Sequence, residues 1–291
     1  MTETNGNGRS PLRLIFLALI VVILPLAVGL YAAPRLVAQP KVGVIRLSYD
    51  IFSGTAYEIT EQLNYALEHD DIKAVVLIIN SPGGSAAYSE ELYLAVLNTR
   101  EKIPVVASID LLAASGAYYM AAAANEIYAK PTSNVGSVGV IATLPTEVYI
   151  EEDLLTTGPY KAFGGTRDGS VRQIERAKFA FLEAVSVGRD ERLKISLDDL
   201  SRAEIYTGVQ AWEYGLVDDL ISTEEAISRA ADMARVKNYE VVELYPLTFN
   251  IDATYLYGAY QPQPLNVEQL WAPPTNWPAG LYYRYIVPAS H

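Results

Sequence analysis

The stretch "AVVLIINSPGGS", residues 74–85, decides the fold. Six apolar residues in a row, Ala74 to Ile79, leave no polar face. That pattern suits a strand covered on both sides, as in a parallel sheet. Pro82, Gly83 and Gly84 then stop the strand at its C-terminal end, which is where ligands bind in parallel α/β sheets. Consecutive glycines there can turn backbone N–H groups toward a carbonyl oxygen. Taken alone, Pro-Gly-Gly is simply a turn.

Working outward, "KVGVIRLSYDI" (41–51) reads as a strand rich in β-branched residues. A helix follows over Tyr57 to Glu68, with Ile59, Leu63 and Leu67 on one face. Downstream, a helix is expected from Ser89 to Arg100, and "IPVVASI" (103–109) is a second buried strand. That strand leads into the charge-free run "LLAASGAYYMAAAAN" (111–125), read as an alanine-rich helix starting near Ser115. "EIYAKP" (126–131) and "GSVGVIA" (136–142) are short strand candidates, and a helix is expected over Arg172 to Gly188. Strand and helix alternate and no repeat is visible, so the expectation is one α/β domain with largely parallel pairing.

Both ends differ from this middle. Residues 14–33, "LIFLALIVVILPLAVGLYAA", run 20 positions without a charge, enough for a helix to cross a bilayer core. Small residues at Ala32, Ala33 and Ala38 raise the rival reading of a cleaved signal peptide, but the run exceeds the usual apolar core of one. The expected organisation is a polar tail at 1–13, an anchor at 14–33, a linker at 34–40, a catalytic domain at 41–245 and a Tyr- and Pro-rich extension at 246–291. Arg9 and Arg13 before the anchor balance Arg35, Lys41 and Arg46 after it, so charge alone does not set the orientation. The extension, with its "PPTNWPAGLYYRYIVP" (273–288), is expected to lie on the domain's own surface, across a neighbouring subunit or over a substrate groove.

Composition removes several functions. The net charge of −12 argues against nucleic acid as a partner, because phosphate binding needs clustered cations. With no cysteine there is no disulfide, thiolate nucleophile or Cys-ligated zinc. Histidine is limited to His69 and His291.

Chemistry centres on Ser115. A serine between a strand and a helix can be an ordinary N-cap, or a nucleophile whose attack is helped by unpaired backbone N–H groups. Gly84 and Gly116 are placed to supply an oxyanion hole. A nucleophilic serine needs a base. His69 sits in the polar connection "LEHDDIK" and His291 is the last residue, so neither is credible. A desolvated lysine can serve instead. Of the eight lysines, Lys178 is flanked by apolar residues but falls on the polar side of its helix, while Lys161 in "TTGPYKAFGG" has Tyr160, Ala162 and Phe163 beside it and glycines on both sides, a setting able to desolvate an amine.

Taken together, "AVVLIINSPGGS" (74–85), "IPVVASIDLLAASGAYYMAAAANEIYAKP" (103–131), "GSVGVI" (136–141), "GPYKAF" (158–163) and "IYTGVQAWEYGLVDDL" (205–220) occur in an order that resembles the signal peptide peptidase A family. These are membrane-anchored serine proteases of the Ser-Lys dyad type. The likeness covers about residues 41 to 245. It implies a crotonase- and Clp-like α/β superhelix of ββα units, preceded here by one transmembrane helix. It implies Ser115 as nucleophile, Lys161 as general base, Ser137 as the residue orienting that lysine, and Gly84 and Gly116 as oxyanion donors. It further implies peptide substrates such as signal-peptide remnants or unfolded segments, a homo-oligomer, a domain outside the cytoplasm, and no metal or organic cofactor. Ala117 and Ala162 depart from the usual glycine and aspartate, and the chain between Ser137 and Lys161 is short for the family. Two rival functions share the shape: a crotonase-type enzyme acting on acyl-CoA, and an inactive assembly member of the same family.

Overall fold

The computed structural model describes residues 11–36, 39–143, 157–158, 160–161, 164–251 and 280–284. Residues 1–10 of the polar tail expected at 1–13, Ala162, Phe163 and most of the C-terminal extension with His291 lie outside the described residues. The chain divides into two units, Met1–Pro40 and Lys41–His291.

In the first unit, helix α1 (Pro11–Ala18), a π-helical segment (Leu19–Ile23) and helix α2 (Leu24–Leu36) follow one another directly. Ile15, Phe16, Leu17 and most of the described apolar residues up to Tyr31 are exposed. Among the described residues no helix is long and apolar enough to cross a membrane, the run being divided by the π segment.

The second unit starts with β1 (Lys41–Leu47), α3 (Ser53–Glu68), β2 (Ile72–Ser81), β3 (Gly83–Ser85) and α4 (Ala86–Arg100). Strand β4 (Val105–Ala114), the short helix α5 (Gly116–Ala121), β5 (Glu126–Ala129), β6 (Asn134–Gly136) and β7 (Ile141–Thr143) follow. Then come α6 (Arg167–Arg189), α7 (Leu197–Leu200), β8 (Ile205–Thr207), α8 (Gly208–Glu213), β9 (Asp219–Leu220), α9 (Thr223–Met233), β10 (Glu240–Glu243), α10 (Leu244–Phe249) and β11 (Gly280–Arg284). The main sheet has the order β10-β1-β2-β4-β5-β9, every pair parallel, with β6 parallel to β4 and antiparallel to β8. A second, small sheet has the order β3-β11-β7, and both of its pairs are antiparallel.

The apolar run that opened the sequence reading is β2, and its side chains alternate as a strand requires. Val75, Leu77 and Ile79 join the core shared with α3, α4 and α5, while Ala74, Val76 and Ile78 meet Ala226, Ala230 and Ala231 of α9 on the other face. The parallel α/β domain expected from the strand and helix alternation is therefore present.

Boundaries moved where tertiary partners outweighed propensity. Residues 111–114, expected to lead into a helix, extend β4 instead, and α5 keeps only six residues. The reason is backbone pairing on both edges, Ser81↔Ala113 with β2 and Leu112↔Asn134, Ala113↔Val135 and Ala114↔Gly136 with β6. The 136–142 strand candidate splits into β6 and β7, separated by Ser137 at φ 53°. The alanines after α5 allow close helix approach. A Cβ at Gly188 of α6 would stand 2.1 Å from the Ala122 carbonyl oxygen, so only glycine fits.

Candidate active site

Ser115 sits at the C-terminal edge of the parallel sheet, between β4 and α5. Its backbone is at φ 54°, ψ −124°, a region that a residue with a Cβ occupies at a cost of about 1–3 kcal/mol. Two bonds hold it there: its N–H donates to the Gly136 carbonyl at 2.8 Å, and its own carbonyl accepts from the Tyr119 N–H at 2.9 Å. The side chain does not cap the helix. Its Oγ is buried and has no hydrogen-bond partner among the described residues. The ordinary N-cap reading therefore fails, and what stands here is a buried, unpaired hydroxyl on a strained strand-to-helix turn.

Ser137 is placed by the same ladder. Ala114 is in register with Gly136, so Ser115 and Ser137 each follow a residue of one paired position, and the strands are about 4.8 Å apart there. Ser137 is buried, and its N–H donates to the Glu204 carbonyl at 2.8 Å.

On the other flank, Gly84 lies in β3. An isolated parallel bridge to Ile51 fixes it: Ile51 N–H donates to the Gly83 carbonyl and Ser85 N–H to the Ile51 carbonyl, both at 2.8 Å. A Cβ on Gly84 would stand 2.0 Å from the Ile51 carbonyl oxygen, so glycine is mandatory at this contact. Gly116 is the first residue of α5, a position whose N–H has no acceptor within its helix.

Lys161 is exposed, in a turn where its N–H donates to the Gly158 carbonyl at 3.2 Å. Its amine makes no hydrogen bond to the Ser115 hydroxyl. The structure thus brings Ser115, Ser137, Gly84 and Gly116 to one sheet edge and leaves Lys161 on the surface. Other bases are engaged or distant. His69 closes α3, bonding the Tyr65 carbonyl through Nδ1 at 2.8 Å and stacking on the Tyr65 ring. Lys41 pairs with Asp71, Lys130 with Asp110 and Lys178 with Glu175. Lys73, Lys102 and Lys237 lie at the opposite edge, at or before the starts of β2, β4 and β10. Ten residues of β4 separate that edge from Ser115, about 30 Å of strand.

Two supports escaped the sequence reading. Arg189 is fully buried, donating two bonds to Asp218 at 2.7 and 2.9 Å and one to the Gly215 carbonyl at 2.8 Å. Burial alone would raise the Asp218 carboxyl, but the Arg189 guanidinium overrides it and holds the group below the ordinary carboxylate value. The Tyr118 hydroxyl, directed to the opposite edge of the sheet, donates to the Leu216 carbonyl at 2.8 Å, and burial pushes it well above the usual phenol range. Nothing in "SVGRDERLK" distinguishes one buried arginine from its exposed neighbours. Among the described residues no group of three His, Asp or Glu is placed to hold a metal ion.

A parallel α/β sheet ending in a strained serine, with glycine strands beside it, defines the class: an α/β fold carrying a strand–serine–helix turn. Comparison with known proteins makes this specific. The model of peptidase family S49 matches residues 98–237, and that of Clp protease matches residues 37–135. Ser115 lies inside both. A candidate protease of Synechocystis sp. is 31% identical over 210 residues, 67% of this chain and 75% of its own length. Protease 4 of Haemophilus influenzae is 28% identical across 73% of this chain and 38% of its own. The chloroplastic serine protease SPPA of Arabidopsis thaliana is 28% identical across 65% and 30%. The chain belongs to peptidase family S49, the signal peptide peptidase A group. It spans well under two thirds of the length of several curated relatives, including the Haemophilus and Arabidopsis proteins.

Proposed function

We propose that this protein is a serine endopeptidase working through Ser115 and Lys161. The observation that carries the reading is the Ser115 hydroxyl: buried, unpartnered and held by a backbone that strains the residue. A polar atom kept dry and idle costs stability, and such strain gathers at functional sites. The Ser115 Oγ attacks the scissile carbonyl as its proton passes to the Lys161 amine, which then protonates the leaving nitrogen. A water that gives its proton to the same amine opens the acyl-enzyme. The N–H groups of Gly84 and Gly116 receive the oxyanion of both tetrahedral intermediates. Ser137, one strand spacing from Ser115, orients the lysine.

Elimination supports Lys161, since Lys41, Lys130 and Lys178 are paired, Lys73, Lys102 and Lys237 stand at the far edge of the sheet, and the Lys194 amine lies over the Trp212 ring. The amine must be dried to act as a base near neutral pH. Its exposure in this arrangement means that bound peptide or a second copy of the chain has to cover it. The finer features belong to the same proposal: a Clp-like superhelix of ββα units, a homo-oligomer, and membrane-proximal peptides such as signal-peptide remnants as substrates. Anchoring through residues 14–33, with the domain outside the cytoplasm, is supported by 20 uncharged positions and by the outward-facing apolar side chains of α1 and α2.

The test is mass-spectrometric mapping of a fluorophosphonate probe, alongside hydrolysis of a casein-type substrate. Labelling at Ser115, with activity lost in Ser115→Ala and in Lys161→Ala, is the expected result. Full activity in the Lys161 variant overturns the dyad, and CoA-dependent turnover without Ser115 labelling overturns the peptidase reading.

A further inference from the structure

Away from the serine turn, the outer edge of the parallel sheet carries a cavity of about 990 Å³. It lies between the ends of β1 and β10, one face of α3 and the helix α10. A volume of this size accommodates a small organic molecule or the end of a peptide. None of the residues assigned above to catalysis lines it.

The wall is built by helical periodicity and by the turn after β10. In α3, Thr55, Glu58, Ile59 and Gln62 recur at helical spacing and share the face turned to the cavity. Ile59, Val242, Pro246, Leu247 and Ile251 make much of the wall apolar. Tyr49 and Tyr245 add aromatic surface, which attracts cations.

The polar groups select the charge of a ligand. Gln62 is 2% exposed; its Nε2 donates to the Glu58 carbonyl at 3.0 Å, while its Oε1 has no hydrogen-bond partner among the described residues. A buried carbonyl oxygen left unpaired is costly, and it can only accept. One turn earlier in α3 stands the half-buried Glu58 carboxyl, to which the Tyr245 hydroxyl donates. Burial raises that carboxyl above the usual carboxylate value, and among the described residues no cation offsets the burial. Arg46, the guanidinium in the wall, is committed elsewhere: its Nε and Nη2 bond Glu243 at 3.0 and 2.7 Å. The unmet demand is therefore for a donor that carries positive charge.

We propose that this cavity is a binding site for a primary ammonium group borne on an apolar or aromatic body, with Glu58 and Gln62 receiving the ammonium and Tyr49, Leu247 and Ile251 the body. Nothing in it depends on the peptidase reading of Ser115. The amino terminus of a peptide and a free arylalkylamine share this chemistry.

Isothermal titration calorimetry on the detergent-solubilised full chain tests the site, with Leu-Phe amide and 4-phenylbutylamine as ammonium probes. N-acetyl-Leu-Phe amide and 4-phenylbutanoate are their neutral and anionic counterparts. Each amine should bind about tenfold or more tightly than its counterpart, because an ammonium makes charge-assisted bonds. Glu58→Gln should remove that advantage and leave the neutral probe unchanged, and Gln62→Leu should also weaken the amines. If Glu58→Gln fails to fold, Gln62→Leu and the four probes on the parent chain decide. Whichever amine binds more tightly identifies the source, and either order upholds the site. Equal affinity for charged and acetylated probes, tighter binding of 4-phenylbutanoate, or no binding of either amine overturns the proposal. So does amine binding that survives both substitutions, which places the ligand beside Ser115 or in the detergent.

Discussion

If Ser115 is held in strain for chemistry, then removing its hydroxyl should stabilise the protein while silencing it. Ser115→Ala eliminates a buried hydroxyl that has no partner. Relief of such an atom is worth about 1 kcal/mol, since an unmet buried donor costs roughly 1–3 kcal/mol. Alanine inherits the φ of 54°, so the backbone strain stays. Ser115→Gly removes that as well. Relief of about 1–3 kcal/mol, less roughly 0.5–1 kcal/mol for glycine's extra unfolded-state freedom, leaves a further gain of about 1 kcal/mol. In a chain of this size 1 kcal/mol shifts Tm by about 2–4 °C. The alanine variant should therefore melt about 2–4 °C above the parent and the glycine variant about 4–8 °C above it, neither hydrolysing peptide. The assay is thermal unfolding of the detergent-solubilised full chain, read beside peptide hydrolysis. If both variants melt below the parent, the serine is supporting the fold and the argument from strain is refuted.

Two further outcomes test the scaffold. Gly188→Ala places a methyl 2.1 Å from the Ala122 carbonyl oxygen. It should destabilise by about 2–3 kcal/mol as α6 is forced away from the segment after α5, and an unchanged Tm would show that the contact yields. Arg189→Met leaves the Asp218 carboxylate without its main partner and should destabilise by about 3–5 kcal/mol, with Asp218→Leu in the same chain restoring part of the loss. The pair also sets an acid limit. A carboxyl whose value is depressed on folding stabilises above its unfolded value, and that contribution disappears as the pH falls through the folded one. The parent should thus lose stability below the ordinary value of 3.8, and Arg189→Met should lose much less there. Denaturant titrations between pH 2 and pH 6 read this, and parallel curves would refute the assigned pairing.

The alternation of fully apolar strands with amphipathic helices was enough to give a parallel α/β domain, because a strand with no polar face can only sit between two covered layers. The break after "AVVLIIN" also pointed to the sheet end at which Gly84 and Ser115 lie. Local sequence could not say that Leu111 to Ala114 would be strand, since alanine favours helix and only the β2 and β6 edges supply the competing bonds.

The candidate site divides in the same way. Ser115, Gly84 and Gly116 could be named from residue type and order, because each sits where a strand stops or a helix starts, and such stops are written locally, whereas Ser137 could be named only through the family resemblance. Strain at Ser115 and Ser137, the solitary hydroxyl and the buried Arg189–Asp218 pair belong to the assembled fold, since each needs atoms from segments remote in sequence. The same is true of β11. Prolines on either side of "GLYYR" disguise a strand whose partners, Gly83–Ser85 and Ile141–Thr143, lie more than a hundred residues away. A strand is completed by the edge it meets, and no local pattern encodes which edge that will be.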